Sequence, residues 1–305
     1  MGMGMGDGVT PGYIGSPPGP AIAGSREHHA GMNAPLASPA TARLSQADVD
    51  HFLREGYVLP TGQVFPQDDF SALQRTFEVM LADWMAQGGR PEAMDVPHFY
   101  HPELMRWLLH PAVLDLVEPI TGPDIVLFSS HFICKPAGDG RRVPWHEDSA
   151  YWRGQWDPMD VVTVWLAIDG SDLGNGCMHV VPRSHVGGYS EYASVPERAV
   201  FSREIKTGTF DAATAAPCIL TAGACSLHHA KAIHGSAANT SARRRCGYTM
   251  RYISAAARFD QAKNNDAFQI YQARGRNLAG NPVADPGRAN ARWIERFGVQ
   301  PPKGH

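Results

Sequence analysis

In the first third of the chain, apolar residues recur at three- and four-residue steps, which is the period of an amphipathic helix. A first helix is predicted to begin after Ser45, whose hydroxyl can cap it, and to end at Gly56. A second helix is predicted over residues 67–87 and a third over 102–117, the third broken near Pro111. The early part of the chain is therefore predicted to form helices that each bury one face.

From residue 125 onward, apolar residues come instead in short runs or alternate with polar ones, which is typical of β-strands. Strands are predicted over residues 125–134, 160–169, 177–181, 224–233 and 247–254. In the second of these, Thr163, Trp165 and Ala167 are predicted to face one side of the sheet and the apolar residues between them the other.

Many short strands behind a helical start predict a mainly β fold. We expect a double-sheet jelly roll, that is, a cupin-like double-stranded β-helix, with the N-terminal helices flanking it. The jelly-roll core is expected over about residues 125–254, within a single domain over residues 43–305. Residues 1–42 are rich in Gly, Pro, Ala and Ser and are predicted to be a disordered leader. A last helix is predicted near residues 290–297.

Composition narrows the classes of partner. The net charge is −3, so the chain lacks the basic surface that nucleic acid or an anionic membrane would require. No apolar run reaches the roughly 18 residues of a membrane span. The five cysteines are scattered without metal-binding spacing, which indicates reduced thiols and a cytoplasmic protein. A small-molecule substrate is therefore the expected partner, and nothing in the pattern indicates an oligomeric state.

A His-x-Asp pair, His146 and Asp148, follows a strand-like stretch, and His234 comes 88 positions later. Two imidazoles and one carboxylate are the ligand set of the facial triad in non-haem iron(II) oxygenases. Residues two apart on a strand point to the same face, so one short segment can supply two ligands. The sequence therefore predicts a catalytic metal site at these three residues, with the third supplied by a distant strand.

Three arginines, at positions 243–245, follow the third metal-ligand candidate. A dicarboxylate that chelates iron through one end would leave a distal carboxylate in a partly buried pocket, where a guanidinium is the preferred partner. Arg243 and Arg245 share one side of an extended strand, and Arg244 faces the other way. Spacing alone leaves Arg243 and Arg245 both open as the anchor.

At these residues the chain resembles the phytanoyl-CoA dioxygenase family of iron(II)/2-oxoglutarate oxygenases, over about residues 44–254. The resemblance rests on the His-x-Asp pair, on Asn175-Gly176-Cys177 leading to Pro182-Arg183-Ser184-His185, and on His-Gly-Ser with an arginine eleven residues after the histidine. It implies the same jelly-roll fold and the use of iron(II), 2-oxoglutarate and O2. It also implies release of succinate and CO2.

The resemblance also assigns roles around the cosubstrate. It selects Arg245 as the anchor of the distal carboxylate and Ser236 as a hydroxyl contact to the same group. It places Trp165 and His131 at positions that line the cosubstrate pocket, although a Trp165 in the core would be equally ordinary for a strand. His228 is expected to be an ordinary strand histidine, and the role of its neighbour His229 stays open.

The substrate pocket is expected to use the residues just after the metal pair, Tyr151, Trp152 and Arg153, together with Phe128. This lining is aromatic and hydrogen-bonding with some positive charge, which suits a compact polar or anionic metabolite at least as well as a long acyl chain. The expected reaction is hydroxylation of an unactivated C–H bond. Two alternatives remain: a cupin-like binding protein without catalysis, and a zinc hydrolase. Release of succinate distinguishes the oxygenase from both.

Overall fold

The computed structural model describes residues 41–195, 199–264 and 267–298. Most of the predicted leader, residues 1–40, lies outside this range. Thr41 and Ala42, which were assigned to the leader, belong to the folded unit, because Thr41 pairs with Gln63 and Ala42 is buried. The limits predicted for the domain remain a prediction.

The helices follow the sequence pattern closely. The described residues form α1 Gln46–Glu55, α2 Gln67–Ala86, α3 Met105–Leu108, α4 Pro111–Thr121 and α5 Ala291–Phe297. Ser45 and Asp48 form a reciprocal capping box at the start of α1, and Gly56 ends it with a φ of 82°. The third predicted helical region is divided as expected, since α4 begins at Pro111, where a proline has no backbone N–H to lose.

Strands make up most of the remaining regular secondary structure of the described residues. In chain order they are β1 Tyr57–Val58, β2 Met94–Asp95, β3 Ile125–Lys135, β4 Val143–His146, β5 Trp156–Asp157, β6 Val162–Ala167, β7 Met178–Val180, β8 Tyr192–Ser194, β9 Arg203–Ile205, β10 Ala216–Pro217, β11 Cys225–His229, β12 His234–Ser236, β13 Arg245–Ser254, β14 Arg258–Phe259 and β15 Tyr271–Arg274. All strand pairs among them are antiparallel.

Two of the sheets form the jelly roll. The larger has the order β1-β11-β6-β13-β3-β15, with β2 also paired to β3, and the smaller has the order β10-β7-β12-β4. The crossovers between neighbouring strands are those of a double-sheet β fold rather than of a meander. The mainly β jelly roll predicted from the sequence is therefore confirmed.

Strand β6 shows how the two faces of the larger sheet are used. Its residues Val164 and Leu166 belong to the main core cluster, which includes Phe77 of α2 and Val113 of α4. Trp165 and Ala167 point the other way and pack with Met178 and Val180 of the smaller sheet. The predicted alternation is confirmed, and the inner face between the sheets is where the candidate site lies.

The strand predicted over residues 224–233 is wrong in one respect. The chain leaves the larger sheet at His229 and enters the smaller sheet at His234. Between them it turns, with the N–H of Ala232 donating to the carbonyl of His229 at 2.9 Å. The turn is built from Ala and Lys rather than from Gly or Pro, which are the residues that usually mark a turn. The sequence therefore looks like one continuous strand at the point where the chain changes sheets.

Within the described residues, no helix is long and apolar enough to cross a membrane.

Candidate metal and cosubstrate site

His146, Asp148 and His234 come together between the sheets, and all three are buried. His146 ends β4, His234 begins β12, and the two residues are paired in register. The Oδ1 atom of Asp148 lies 3.6 Å from Nε2 of His146 and 4.0 Å from Nε2 of His234. The reason predicted for this convergence was wrong, because Asp148 is not on the strand but begins a 3-10 turn, Asp148–Ala150.

The two imidazoles are oriented by the backbone. Nδ1 of His146 donates to the carbonyl of Pro144 at 2.8 Å, and Nδ1 of His234 donates to that of Ala232 at 2.9 Å. A carbonyl oxygen only accepts, so each Nδ1 carries a proton and each Nε2 is the nitrogen that faces Asp148. Burial holds the pKa of His234 well below its usual value, so this ring is neutral and able to ligate a metal.

The second carboxylate oxygen of Asp148 is held separately. Oδ2 accepts from Nε of Arg251 at 3.3 Å and from Oγ1 of Thr163 at 3.4 Å. Burial opposes ionisation of Asp148, but the charge of Arg251 favours it, and the pKa of the carboxyl lies well below its ordinary value. Asp148 is therefore a charged ligand with one oxygen fixed and the other facing the histidines.

Arg245 lies in the same cavity as the three metal-ligand candidates. Its side chain is fully buried, its Nη2 lies 3.4 Å from Oγ of Ser236, and its guanidinium stands 5.3 Å from the ring centroid of Trp165. Burial lowers its pKa to about 10, which still leaves it charged at neutral pH. Nε has no partner, and no carboxylate in the described part of the chain pairs with this guanidinium. A buried cation of this kind requires an anionic ligand.

The other two arginines of the triplet are engaged elsewhere. Arg243 is exposed and its Nη2 lies 2.8 Å from Oδ2 of Asp172. Arg244 forms ion pairs with Asp169 at 2.8 Å and Glu78 at 2.6 Å. Of the three, Arg245 is the one in the cavity, at the position that the family resemblance indicated.

Lys135 is a second buried basic side chain, and the sequence reasoning missed it. It ends β3, is fully buried, and its Nζ donates to Oγ of Ser236 at 2.6 Å and also to the carbonyl of Ala237. Burial and the nearby Arg245 lower the pKa of Lys135 to about 6. A signal was present, since this lysine directly follows a ten-residue run that is largely apolar. The two basic side chains meet at the hydroxyl of Ser236.

The Ser236 hydroxyl is left as a hydrogen-bond donor by this arrangement. The arginine nitrogens and a protonated lysine amine only donate, so in the charged form of Lys135 Oγ accepts from both Lys135 and Arg245. Its own hydrogen is then free to point into the cavity, which Ser236 lines. Two cations and one hydroxyl donor are the groups that would hold a carboxylate.

The remaining predicted residues fall into three groups. His131 and Trp165 line the metal cavity, and Nε2 of His131 contacts the carbonyl of Glu92 at 3.1 Å. Tyr151 and Arg153 line an open recess beside that cavity. Phe128 and Trp152 pack against each other, with ring centroids 5.0 Å apart, in a separate apolar cluster. Neither of those two side chains lines the metal cavity or the recess.

His228 has a different place from the one expected. Its ring lines the metal cavity, with Nε2 3.9 Å from Oδ2 of Asp148, and neither ring nitrogen has a hydrogen-bond partner in the described chain. Burial lowers its pKa to about 4, so the ring is neutral. His229 faces away from the cavity and contacts Asp160 at 3.4 Å. His229, whose role was left undecided from the sequence, is thus the ordinary strand histidine.

The donor set fits iron(II) and 2-oxoglutarate. Two imidazoles and a carboxylate match a facial triad, and the unpaired Arg245 with Ser236 matches the distal end of a dicarboxylate. Alpha-ketoglutarate is another name for 2-oxoglutarate. Dioxygenases that depend on it require iron(II), 2-oxoglutarate and O2. The residues that would hold the first two are all present in one cavity.

Comparison with known proteins identifies relatives of the same kind. The chain is 30% identical over 165 residues to a probable alpha-ketoglutarate-dependent hypophosphite dioxygenase of Stutzerimonas stutzeri, covering 53% of this chain and 56% of that protein. It is 29% identical over 178 residues to an L-proline trans-4-hydroxylase of Streptomyces griseoviridis, covering 51% of this chain and 64% of that protein. The chain thus spans little more than half the length of these curated relatives.

A solved structure and a family model complete the comparison. The non-heme monooxygenase ThoJ, in its apo form, matches with a TM-score of 0.66 at 24% identity, covering 79% of this chain and 89% of that chain, which shows a shared fold. A family model described as phytanoyl-CoA dioxygenase (PhyH) matches residues 44–247, a span that includes the triad, Ser236 and Arg245. The chain belongs to the phytanoyl-CoA dioxygenase family.

Proposed function

We propose that this protein is an iron(II)/2-oxoglutarate-dependent dioxygenase that hydroxylates an unactivated C–H bond of a small polar metabolite. Succinate and CO2 are the coproducts: one atom of O2 enters the substrate hydroxyl and the other enters succinate. The observation that carries the proposal is the buried Arg245 guanidinium, which has no carboxylate partner in the described chain and shares a cavity with His146, Asp148 and His234.

Each residue has a defined task in this reaction. The histidine Nε2 atoms and Oδ1 of Asp148 would hold iron(II), which supplies activation of O2 when bound. Arg251 and Thr163 keep the Asp148 carboxylate oriented through its other oxygen. Arg245, Ser236 and Lys135 would bind the distal carboxylate of 2-oxoglutarate, and the Trp165 ring beneath Arg245 excludes water from that end of the cavity.

A small polar substrate is supported by what surrounds the cavity. The recess that opens beside it is lined mainly by tyrosines and by charged side chains rather than by aliphatic ones. One relative acts, by its name, on proline and another on hypophosphite, and both are small polar compounds. We also assign the protein to the cytoplasm, an assignment supported by five cysteines that are all buried and free of disulfides.

Conversion of 2-oxoglutarate to succinate in the presence of iron(II) and O2 tests the proposal. We expect slow turnover without substrate and faster turnover with some members of a panel of small polar metabolites. Asp148→Ala and His234→Ala should abolish turnover while preserving the circular dichroism spectrum of the fold. Turnover that is unchanged in both variants, or that proceeds under nitrogen, would exclude the proposed function.

A further inference from the structure

An open recess of about 450 Å³ lies beside the metal cavity. Its lining includes Tyr151, Arg153, Tyr189, Tyr192, Arg203 and Lys206. The ring of Tyr151 stands between the two spaces, with its centroid 6.0 Å from that of His146 and 5.5 Å from that of Phe201, which lines the metal cavity. A ligand in the recess is therefore separated from the metal ligands by a single layer of side chains.

Hydrogen bonds join the recess to Glu147, the residue between the metal-ligand candidates His146 and Asp148. The N–H of Glu147 donates to the hydroxyl of Tyr192 at 3.0 Å, and the N–H of Ser190 donates to Oε1 of Glu147 at 2.8 Å. Glu147 itself is buried, so these bonds are shielded from water. The wall of the recess and the metal site are thus held at a constant separation, which a substrate bound at both points would need.

The charges of the recess are unbalanced. Lys206 is neutralised by Glu191, since their Nζ and Oε2 atoms lie 2.7 Å apart. Arg153 and Arg203 line the same recess, and among the described residues neither pairs with a carboxylate. Glu147 lies near Arg153 but forms no ion pair with it, and its Oε1 accepts instead from the N–H of Ser190. The recess therefore holds two guanidinium groups, directly beside the metal cavity, that form no ion pair with a carboxylate of the described residues.

Both guanidinium groups rest on aromatic rings instead. Arg153 lies 4.3 Å from the ring centroid of Tyr189, and Arg203 lies 5.6 Å from that of Tyr192. Stacking on a ring restrains a guanidinium while leaving its N–H edge available for a planar or tetrahedral anion. Two arginines restrained in this way on two sides of one recess indicate a binding site rather than a solvated surface.

We propose that the recess binds an anionic group of the substrate, a carboxylate or a phosphate, between Arg153 and Arg203. The carbon to be oxidised then lies on the metal side of Tyr151. The proposal rests on the proposed function and deepens it, because it restricts the substrate from polar metabolites in general to anionic ones. Tyrosine hydroxyls at the rim would complete the hydrogen bonds of the anion.

Binding of two simple anions tests this directly. The protein is loaded with iron(II) and saturating 2-oxoglutarate under nitrogen, so that the Arg245 pocket is filled, and is dialysed against radiolabelled phosphate or acetate. We expect one of the two anions to bind at one site per chain, with the preferred anion indicating a phosphate or a carboxylate substrate. The Arg153→Gln, Arg203→Gln double variant should bind it at least tenfold more weakly.

Two controls make the result specific. Arg243→Gln removes the same charge from an exposed arginine far from the recess, where it pairs with Asp172, and should bind the anion as wild type does. Arg203→Lys keeps the charge and should retain part of the affinity. Absence of binding of both anions to the wild type, or equal binding to the double variant, would overturn the proposal.

The same samples separate this proposal from the proposed function. Formation of the visible absorption band of the iron(II)–2-oxoglutarate complex depends on the triad and Arg245, and not on the recess. If the band is absent, the proposed function fails, and the difference in anion binding between wild type and double variant still measures the recess. If the band forms but the anions do not bind differentially, the recess proposal alone fails.

Discussion

The Nε atom of Arg251 lies 3.3 Å from Oδ2 of Asp148, while Oδ1 of the same carboxylate faces the two histidine rings. The pair is buried, and the Arg251 guanidinium also stands 4.9 Å from the ring centroid of Trp152. One oxygen of the carboxylate is thereby fixed by the protein so that the other is presented to a metal. Metal affinity should depend on this arginine even though it cannot ligate a metal itself.

Arg251→Gln should therefore weaken binding of iron(II) by about 10- to 100-fold, the usual cost of losing a group that orients a metal ligand. Loss of the buried charge partner should also destabilise the ligand-free protein, by about 3–5 kcal/mol for a pair of this kind. Anaerobic metal titration and urea unfolding measure the two effects. Arg251→Lys, which keeps the charge, should fall between wild type and Arg251→Gln. Wild-type metal affinity in Arg251→Gln would show that Asp148 is oriented by other groups.

Arg245→Gln should raise the concentration of 2-oxoglutarate needed for half-maximal turnover at least tenfold, because a charge-assisted hydrogen bond contributes about 1.5–3 kcal/mol. Arg243→Gln is the matched control, since Arg243 is exposed and paired with Asp172. It should leave the requirement unchanged. An effect confined to Arg243→Gln would mean that the distal carboxylate is bound on a different side of the strand.

The affinity for 2-oxoglutarate should fall as the pH rises above 6. In the free protein, burial and Arg245 lower the pKa of Lys135 to about 6, so above this pH the amine is largely neutral. A bound carboxylate favours the charged amine, so binding must take up a proton, and each further pH unit weakens binding by up to about tenfold until the pKa of the complex is reached. Calorimetric titration in buffers of different ionisation enthalpy measures the number of protons taken up when 2-oxoglutarate binds.

Lys135→Met is the test of that assignment. The variant should bind 2-oxoglutarate more weakly at pH 6 and lose the pH dependence, because the methionine cannot titrate. Retention of the same pH dependence in Lys135→Met would show that another group takes up the proton.

Gly247→Ala should destabilise the protein and weaken 2-oxoglutarate binding together. A β-carbon built on Gly247 would overlap the indole ring of Trp165, which lies beneath Arg245. Forcing the ring aside costs about 1–3 kcal/mol, as for other overpacked cores, and moves the surface on which the anchor rests. Gly188→Ala is the control, since a β-carbon there meets no atom within 4 Å. A thermal melt and a cosubstrate titration of both variants make the comparison.

The sequence-based prediction was correct where interactions between residues close in sequence decide the structure. The Ser45 capping box and the alternation along β6 depend on residues close in sequence, and both were read correctly. The metal-ligand candidates were also found, because His-x-Asp and a distant His-Gly-Ser are specific in combination. The backbone geometry that brings these residues together was not predicted. Asp148 lies not on the strand but in a 3-10 turn, and its side chain reaches the histidines from there.

The missed features depend on which strands become neighbours. Lys135 faces Ser236 because β3 and the end of β12 meet across the cavity, a contact 101 residues apart in sequence. His228 reaches the metal cavity because β11 pairs it with Thr163, a residue on the inner face of β6 that contacts Asp148. No periodicity within a single segment contains that information, whereas a buried charge without a partner reveals it once the fold is known.

Anaerobic titration of the iron(II)-loaded protein with 2-oxoglutarate tests the central claim most directly. If the triad and Arg245 form one cosubstrate site, a weak visible charge-transfer band should grow to saturation at one 2-oxoglutarate per chain. It should be absent in Asp148→Ala, require at least tenfold more 2-oxoglutarate in Arg245→Gln, and fade when O2 is admitted. A folded, iron-loaded protein that gives no band at any 2-oxoglutarate concentration would contradict the account and indicate a cupin-like binding protein instead.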